Sequence, residues 1–366
     1  MAAPAGWEAR LPITTNPASI PTTMPDGGVS VFATDFEFVE GGDNDEGDIR
    51  TFVDGLAADY SDLVVTQADG ETTVDYGVRQ FSQTGGSREL NLGLGAASLS
   101  SAVGTDFYLH RGCTGGPFEN RAGVVPTASG FQGMWPLEAQ NSGAATGAVI
   151  YDDWTANAND GADYVSATGK TGQVARGQEF DANDYIHVGD VAALEDMADL
   201  TIMAWINHGG LAVKNRVIAG KSYLMYRLQL ASTQAAQIFI NGIGTVSGAP
   251  VASGSYSHIA ATYQSATNTV LLYVNAGAPT VGVGDGNPIG VNAHPFRIAR
   301  DDTKYYLGDY IDEVQVHDAI RSADWITTYY NMTSDNDTFW TVGAEEAVGG
   351  GAYYYDHITR RIRGLI

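Results

Sequence analysis

Apolar and polar residues alternate along this chain in short runs rich in Val, Ile, Thr, Tyr and Phe, separated by clusters of Gly, Asp, Asn and Ser. "GVSVFATDFEF", "TDFYLHR", "LTIMAWI", "AQIFING", "TVLLYVNAG" and "YIDEVQVHD" carry the pattern most clearly. A period of two is the mark of half-buried strands, and its recurrence between turn residues predicts an all-β chain of antiparallel β-sandwiches. Helical spacing is scarce. Short helices are expected at 190–198 and 322–330, as connections within a sandwich, and in a piece of the C-terminus.

The breaks in this pattern divide the chain into three. Residues 1–127 form a first β-sandwich, ending near "HRGCTGGPFENRAGVVPTA", where Gly and Pro cluster as in a linker. Residues 128–346 form a second, from "GFQGMWPLEA" to "TFWTVGAEE", with Trp205, Ile259, Val314 and Val316 expected in its core. Residues 347–366 comprise a glycine joint, "VGGGA", and a short tail, "YYYDHITRRIRGLI".

Composition narrows the function classes. With 366 residues the chain can bury more than one core, and 43 Asp plus Glu against 19 Lys plus Arg give a formal charge of -24. Such an excess repels phosphate backbones and anionic lipid, so nucleic acid is a poor partner. No run approaches the length of a membrane span, and the N-terminus lacks the basic and apolar regions of the usual secretory signal. The single Cys113 cannot form an internal disulfide, and no Cys/His cluster is spaced for zinc.

The second segment resembles the laminin-G-like, concanavalin A-like jelly roll found in many bacterial surface proteins. The pieces that carry the resemblance occur in its order: "GQVARGQEFDANDYIHV" (172–188), "LTIMAWI" (200–206) with a Trp directed to the core, "RVIAGKSYLMYRLQL", "YSHIAATYQSATNTVLLYVNAG" (256–277), and the closing "GDYIDEVQVHDAIRSADW" (308–325). The first segment, through "GWEARLPITT", "SDLVVTQADGETTVDYGVRQF" and "TDFYLHRGC", is similar to an uncharacterised bacterial domain that precedes such jelly rolls. At "HRGC" it departs from that domain's usual Tyr-Tyr-Gly-Asn.

The jelly-roll resemblance raises two chemistries. Glycosidases of this fold set three carboxylates at alternate positions of one strand; here the set from Asp309 is Asp309, Ile311 and Glu313, so the middle acid is missing and catalysis is disfavoured. Strict alternation also puts Asp312 on one face with Val314 and Val316, where a carboxylate needs partners. Hydrogen bonds at the sheet rim would supply them, or a Ca²⁺ held between Asp312 and Asp181, the one cofactor the resemblance suggests. Elsewhere "EGGDNDEGDIRTFVDG" (40–55) misplaces the Gly and ends on Asp rather than Glu for a calcium loop, so it reads as a solvated acidic loop. His258 alternates with Ala260 and Thr262 and reads as a packed strand residue.

Ligand contacts are expected from aromatics in predicted loops, namely Trp154, Tyr223, Tyr305 and Tyr306. In the tail, Tyr354, Ile358 and Ile362 recur at i+4 beside Arg360, Arg361 and Arg363, a basic stretch suited to an acidic, partly apolar partner or a homo-oligomer contact, and equally to folding back on the chain's own acidic body. These readings describe a non-catalytic structural or adhesion protein at a virion or extracellular surface: a bacteriophage tail or capsid component that binds a glycan or receptor and other virion proteins. The alternatives are a bacterial cell-surface carbohydrate-binding protein and, disfavoured, a glycoside hydrolase.

Overall fold

A computed structural model describes residues 7–23, 33–39, 47–83, 89–95, 98–139, 143–168, 172–181, 183–210, 215–301 and 309–348. The chain is all-β and falls into two compact units, one from the described residues up to Val124 together with residues 335–348, the other Val125–Ser334.

The first unit holds a six-stranded and a three-stranded sheet. Its first strand, Ala9–Thr15, buries every second residue, as the alternation in "ARLPITT" predicts. That strand pairs on one side with Asp106–Arg111 and on the other with Trp340–Val342 and Glu346–Ala347. The C-terminal strands therefore complete the first unit, where the sequence pattern had assigned 335–346 to the jelly roll. Pairing across more than three hundred residues leaves no local signature. A second departure is the helix Gly47–Gly55 inside the supposed acidic loop. Ile49, Phe52, Val53 and Leu56 follow helical spacing, and Phe52 and Val53 are fully buried.

The second unit packs an eight-stranded sheet against a seven-stranded one. Ile202, Ala204, Ile206, Ile259, Val314 and Val316 from the seven-stranded sheet meet Tyr226, Leu228, Ile238, Phe296 and Ile298 from the eight-stranded sheet in one apolar cluster. Within this core Trp135 stacks on Phe296 with ring centroids 5.2 Å apart. Asp190 and its successors form only a short 3-10 turn, Ala192–Leu194, rather than a helix.

The strand Tyr310–His317 is buried on both faces and carries a bulge. Met203 pairs with Gln315 and Trp205 with Asp312, so Ala204 alone faces both Glu313 and Val314. Glu313 takes up the extra residue in the left-handed region, at φ 55°. The bulge reverses the alternation: Ile311, Val314 and Val316 point inward, whereas Asp312 lies on the outer face beside Trp205. Asp312 does not share a face with Val314 and Val316, and Trp205 is buried outside the inter-sheet core.

That outer face is covered by the helix Ala323–Ser334, capped by the Ser322 hydroxyl on the Trp325 N–H at 3.1 Å. Trp325, Tyr329, Met332 and Thr333 form its buried stripe. Trp205 donates its indole N–H to the Thr333 hydroxyl (3.1 Å) and stacks on Tyr330 at 5.5 Å. Arg321 lies over Phe131 and Trp325, at 4.8 and 4.9 Å from the ring centres, and donates to the Ser129 carbonyl at 2.7 Å.

Candidate functional site

Three connections converge at one end of the eight-stranded sheet. They are residues 221–225 between Arg216–Gly220 and Tyr226–Leu230, the turn at 241–243 between Ala235–Ile240 and Gly244–Pro250, and the segment 284–295 ahead of Phe296–Ile298. Between them lies a cavity of about 270 Å³. Leu224 (40% exposed) and Val291 (68% exposed) are its apolar walls, and Asn241, Asp285 and Asn287 its polar side chains.

Buried interactions fix this rim. Lys221 is wholly buried at the start of the first connection, with its ammonium 2.7 Å from Asp190 and 3.0 Å from Glu195. Glu195 also accepts from the Asn292 N–H at 3.1 Å, which ties the third connection to the first. Backbone bonds from Asn241 to Met225 (2.8 Å), from Asp196 to Gly290 (3.1 Å) and from Ile289 to Met197 (2.8 Å) complete the frame. A charge as deeply buried as Lys221 persists because two carboxylates and the Val191 carbonyl (3.2 Å) surround it.

Asp285 Oδ1 accepts from the Asn287 N–H at 3.1 Å, and the Tyr263 hydroxyl shares its one hydrogen between the Asn287 carbonyl at 2.6 Å and this oxygen at 3.1 Å. Hydrogen bonds from Asn287 above all, and from Tyr263, hold the Asp285 carboxyl below the usual range, so it is ionised at neutral pH. Burial, with Asp285 adding to it, pushes the Tyr263 phenol up to about 12. The other oxygen, Oδ2, lies over Gly242, where a Cβ would come within 2.5 Å of it. Gly242 sits at φ +86°, so both the turn and the carboxylate's position call for glycine.

Of the predicted ligand residues, Tyr223 is 40% exposed and precedes the lining residue Leu224 in sequence but does not itself line the cavity. Trp154 does not serve: it is 4% exposed, in a turn organised by Asp153, which accepts from the backbone of Met134, Thr155 and Asn159. Tyr305, Tyr306 and the tail residues Tyr354, Ile358, Arg360, Arg361 and Arg363 lie outside the described residues. The sequence reading missed Asn241 and Asp285. "INGIG" and "GDGNPIG" are visible as turns, but nothing local shows that two turns more than forty residues apart face each other.

The proposed metal pair is not brought together. Asp312 is fully buried, and its Oδ2 accepts from the Gln173 and Val174 N–H groups, both at 2.8 Å. Gln178 pairs with Ile311 and Phe180 N–H bonds to the Asp309 carbonyl, so Asp312 lies opposite residue 177. Asp181 is exposed, four residues further along, roughly 13 Å at about 3.3 Å per residue, too far for one cation to bridge. Among the described residues no group of three or more His, Cys, Asp or Glu is placed to hold a metal.

The neighbouring carboxyls are equally enclosed. Asp309 pairs with Arg216 at 2.8 Å in a buried bridge and accepts from Gly209 N–H at 2.7 Å; burial still raises its pKa. Glu313 is fully buried and accepts from the Tyr329 hydroxyl at 2.7 Å.

Residues 180–327 match the family model of the concanavalin A-like lectin/glucanases superfamily. No curated protein matches the chain. Among solved structures it is similar to a Trypanosoma rangeli sialidase in complex with the inhibitor DANA, at 12% identity and a TM-score of 0.42, covering 64% of this chain and 41% of that one. It is also similar to the CBM40 of a Ruminococcus gnavus IT-sialidase bound to α2,3-sialyllactose (11% identity, TM-score 0.36, 41% of this chain and 94% of that one). A third is domain 4 of AbnA, a GH43 extracellular arabinanase from Geobacillus stearothermophilus, in complex with arabinotriose (15% identity, TM-score 0.36, 46% of this chain and 81% of that one). The chain thus spans 41% of the length of the T. rangeli enzyme. The sheets, their shared core and the match over residues 180–327 together identify the second unit as a concanavalin A-like, laminin-G-like jelly-roll domain.

Proposed function

We propose that this chain is a non-catalytic carbohydrate-binding protein and that the rim cavity of its jelly roll is the sugar site. The observation that carries the proposal is the cavity itself, in which an ionised carboxylate and an exposed amide meet apolar walls on a frame fixed by Lys221. Convergent polar groups in an apolar recess are what a hydroxyl-bearing ligand requires. The superfamily match supports the same reading, since lectins belong to it. Against catalysis stand Asp309, Asp312 and Glu313, each buried and engaged in the fold, so that none of them offers an acid and a nucleophile to an open cleft.

The test is a glycan array followed by calorimetry. Leu224→Ala and Asn241→Ala should each weaken binding by about tenfold without changing the melting temperature, the loss of one apolar or hydrogen-bonding contact being worth about 1.4 kcal/mol. Hydrolysis of β-glucan, agarose or carrageenan should stay at background, and turnover lost in Glu313→Gln would refute the non-catalytic part.

The finer reading places the protein on a phage particle, as a tail or capsid-surface component attached through residues 352–366. Its support is the segregation of charge, a basic tail on a chain of net charge -24. A bacterial cell-surface protein with the same sugar site is the alternative. Mass spectrometry of purified particles separates the two.

A further inference from the structure

Resting on the reading of the rim cavity as a sugar site, we infer that it selects a single neutral ring presenting adjacent hydroxyls and rejects sugars that carry a carboxylate. Among the described residues the cavity's lining contains one ionisable group, Asp285, and no Lys, Arg or His. Lys221 gives no help to an incoming anion, because its side chain is 0% exposed and already bridges Asp190 and Glu195.

The hydrogen-bonding inventory points the same way. With Oδ1 engaged by Asn287 and Tyr263, Asp285 presents Oδ2 above Gly242, an acceptor that takes a donated hydroxyl in a charge-assisted bond. Asn241, on the facing turn, offers both a donor and an acceptor, so two neighbouring hydroxyls of one ring are read at once. A sugar carboxylate has acceptors only. Placed against Oδ2 it would set like charges side by side with no cation between them. The apolar walls, Leu224 and Val291, suit the C–H face of a ring. A volume of about 270 Å³ falls below the usual ~300–1,000 Å³ of ligand pockets, which fits one ring, hence a terminal residue rather than a chain segment.

The experiment is calorimetric titration of the full chain with paired probes: methyl β-galactoside and methyl β-glucoside against the corresponding methyl hexuronides, and lactose against 3′-sialyllactose, in low salt and again in high salt. The expected result is binding of the neutral members, with acidic partners weaker by about tenfold or more at low salt and the gap narrowing as salt screens the repulsion. Asp285→Asn keeps an acceptor for Tyr263 and removes the charge; it should shrink that gap, while Leu224→Ala should weaken both members of a pair alike. Equal or tighter binding of the acidic members overturns the inference and leaves the sugar reading standing. If no probe binds, or binding ignores Asp285→Asn and Leu224→Ala alike, the rim reading itself fails and takes the inference with it.

Discussion

Asp312 shows how far a single residue could be read from sequence. A carboxylate in an apolar strand needs partners, and its Oδ2 accepts from two backbone N–H groups at 2.8 Å. The face assigned to it was wrong, because strict alternation holds only while the strand is regular, and Glu313 at φ 55° inserts the residue that reverses it. The donors were also beyond reach of the sequence, since Gln173 and Val174 lie about 140 positions away in a segment without periodicity. Two measurements separate the hydrogen-bonded site from a metal site. Asp312→Ala should lower stability by about 1–3 kcal/mol, the cost of leaving two buried N–H groups unpaired. A chelator should leave the wild-type melting temperature unchanged; a chelator-sensitive transition restored by added Ca²⁺ would contradict this account.

At the scale of elements, the alternation located the strands that build the inter-sheet core, and Ile259, Val314 and Val316 lie where it put them. It did not show that one sheet has a second packed layer. Trp205, His258 and His317 occupy that outer layer because the helix Ala323–Ser334 covers it, and only its own stripe of Trp325, Tyr329 and Met332 hinted at such a face. Burial carries a consequence for pH. His258 is fully buried among Trp205, Tyr329 and Tyr330, and neither ring nitrogen meets a hydrogen-bond partner among the described residues. Burial pushes it down to about 3 from the usual 6.5. Burial, then the nearby Arg321, also holds His317 well below that value.

For a base whose pKa is lower in the folded state, the unfolded chain takes up the proton first. Stability is therefore full above pH 6.5 and falls as the pH drops towards 3, by at most about 1.4 kcal/mol per unit for each such histidine. His258→Phe removes one of these groups and two unsatisfied nitrogens. Its melting temperature should match or exceed the wild type at pH 7, and between pH 6 and 4 it should decline less steeply, with His317 retaining part of the slope. An unchanged slope would show that His258 is not held neutral.

At the scale of the molecule, Gly and Pro cluster near the junction of the units at Val124 and Val125, but nothing in the sequence marks the return of the chain to the first unit. Trp340–Val342 and Glu346–Ala347 flank Ala9–Thr15, Trp340 is 2% exposed, and Arg111 and Glu345 join at 2.8 Å. These contacts separate two roles that the C-terminus combines. Residues 340–347 belong to the first unit's sheet, whereas the basic stretch beyond Gly351 is proposed to attach the protein to its particle or to further copies. Ending the chain after Gly351 should leave the melting transitions and glycan binding of the wild type intact and abolish incorporation into the particle or oligomer. Ending it after Ser334 removes the two strands and the buried Trp340 as well; the first unit should then lose about 3 kcal/mol or more and expose the edge of Ala9–Thr15. Normal incorporation of the chain ending at Gly351 would overturn the attachment role. A first unit as stable without residues 335–366 as with them would show that the C-terminal strands are not part of its fold.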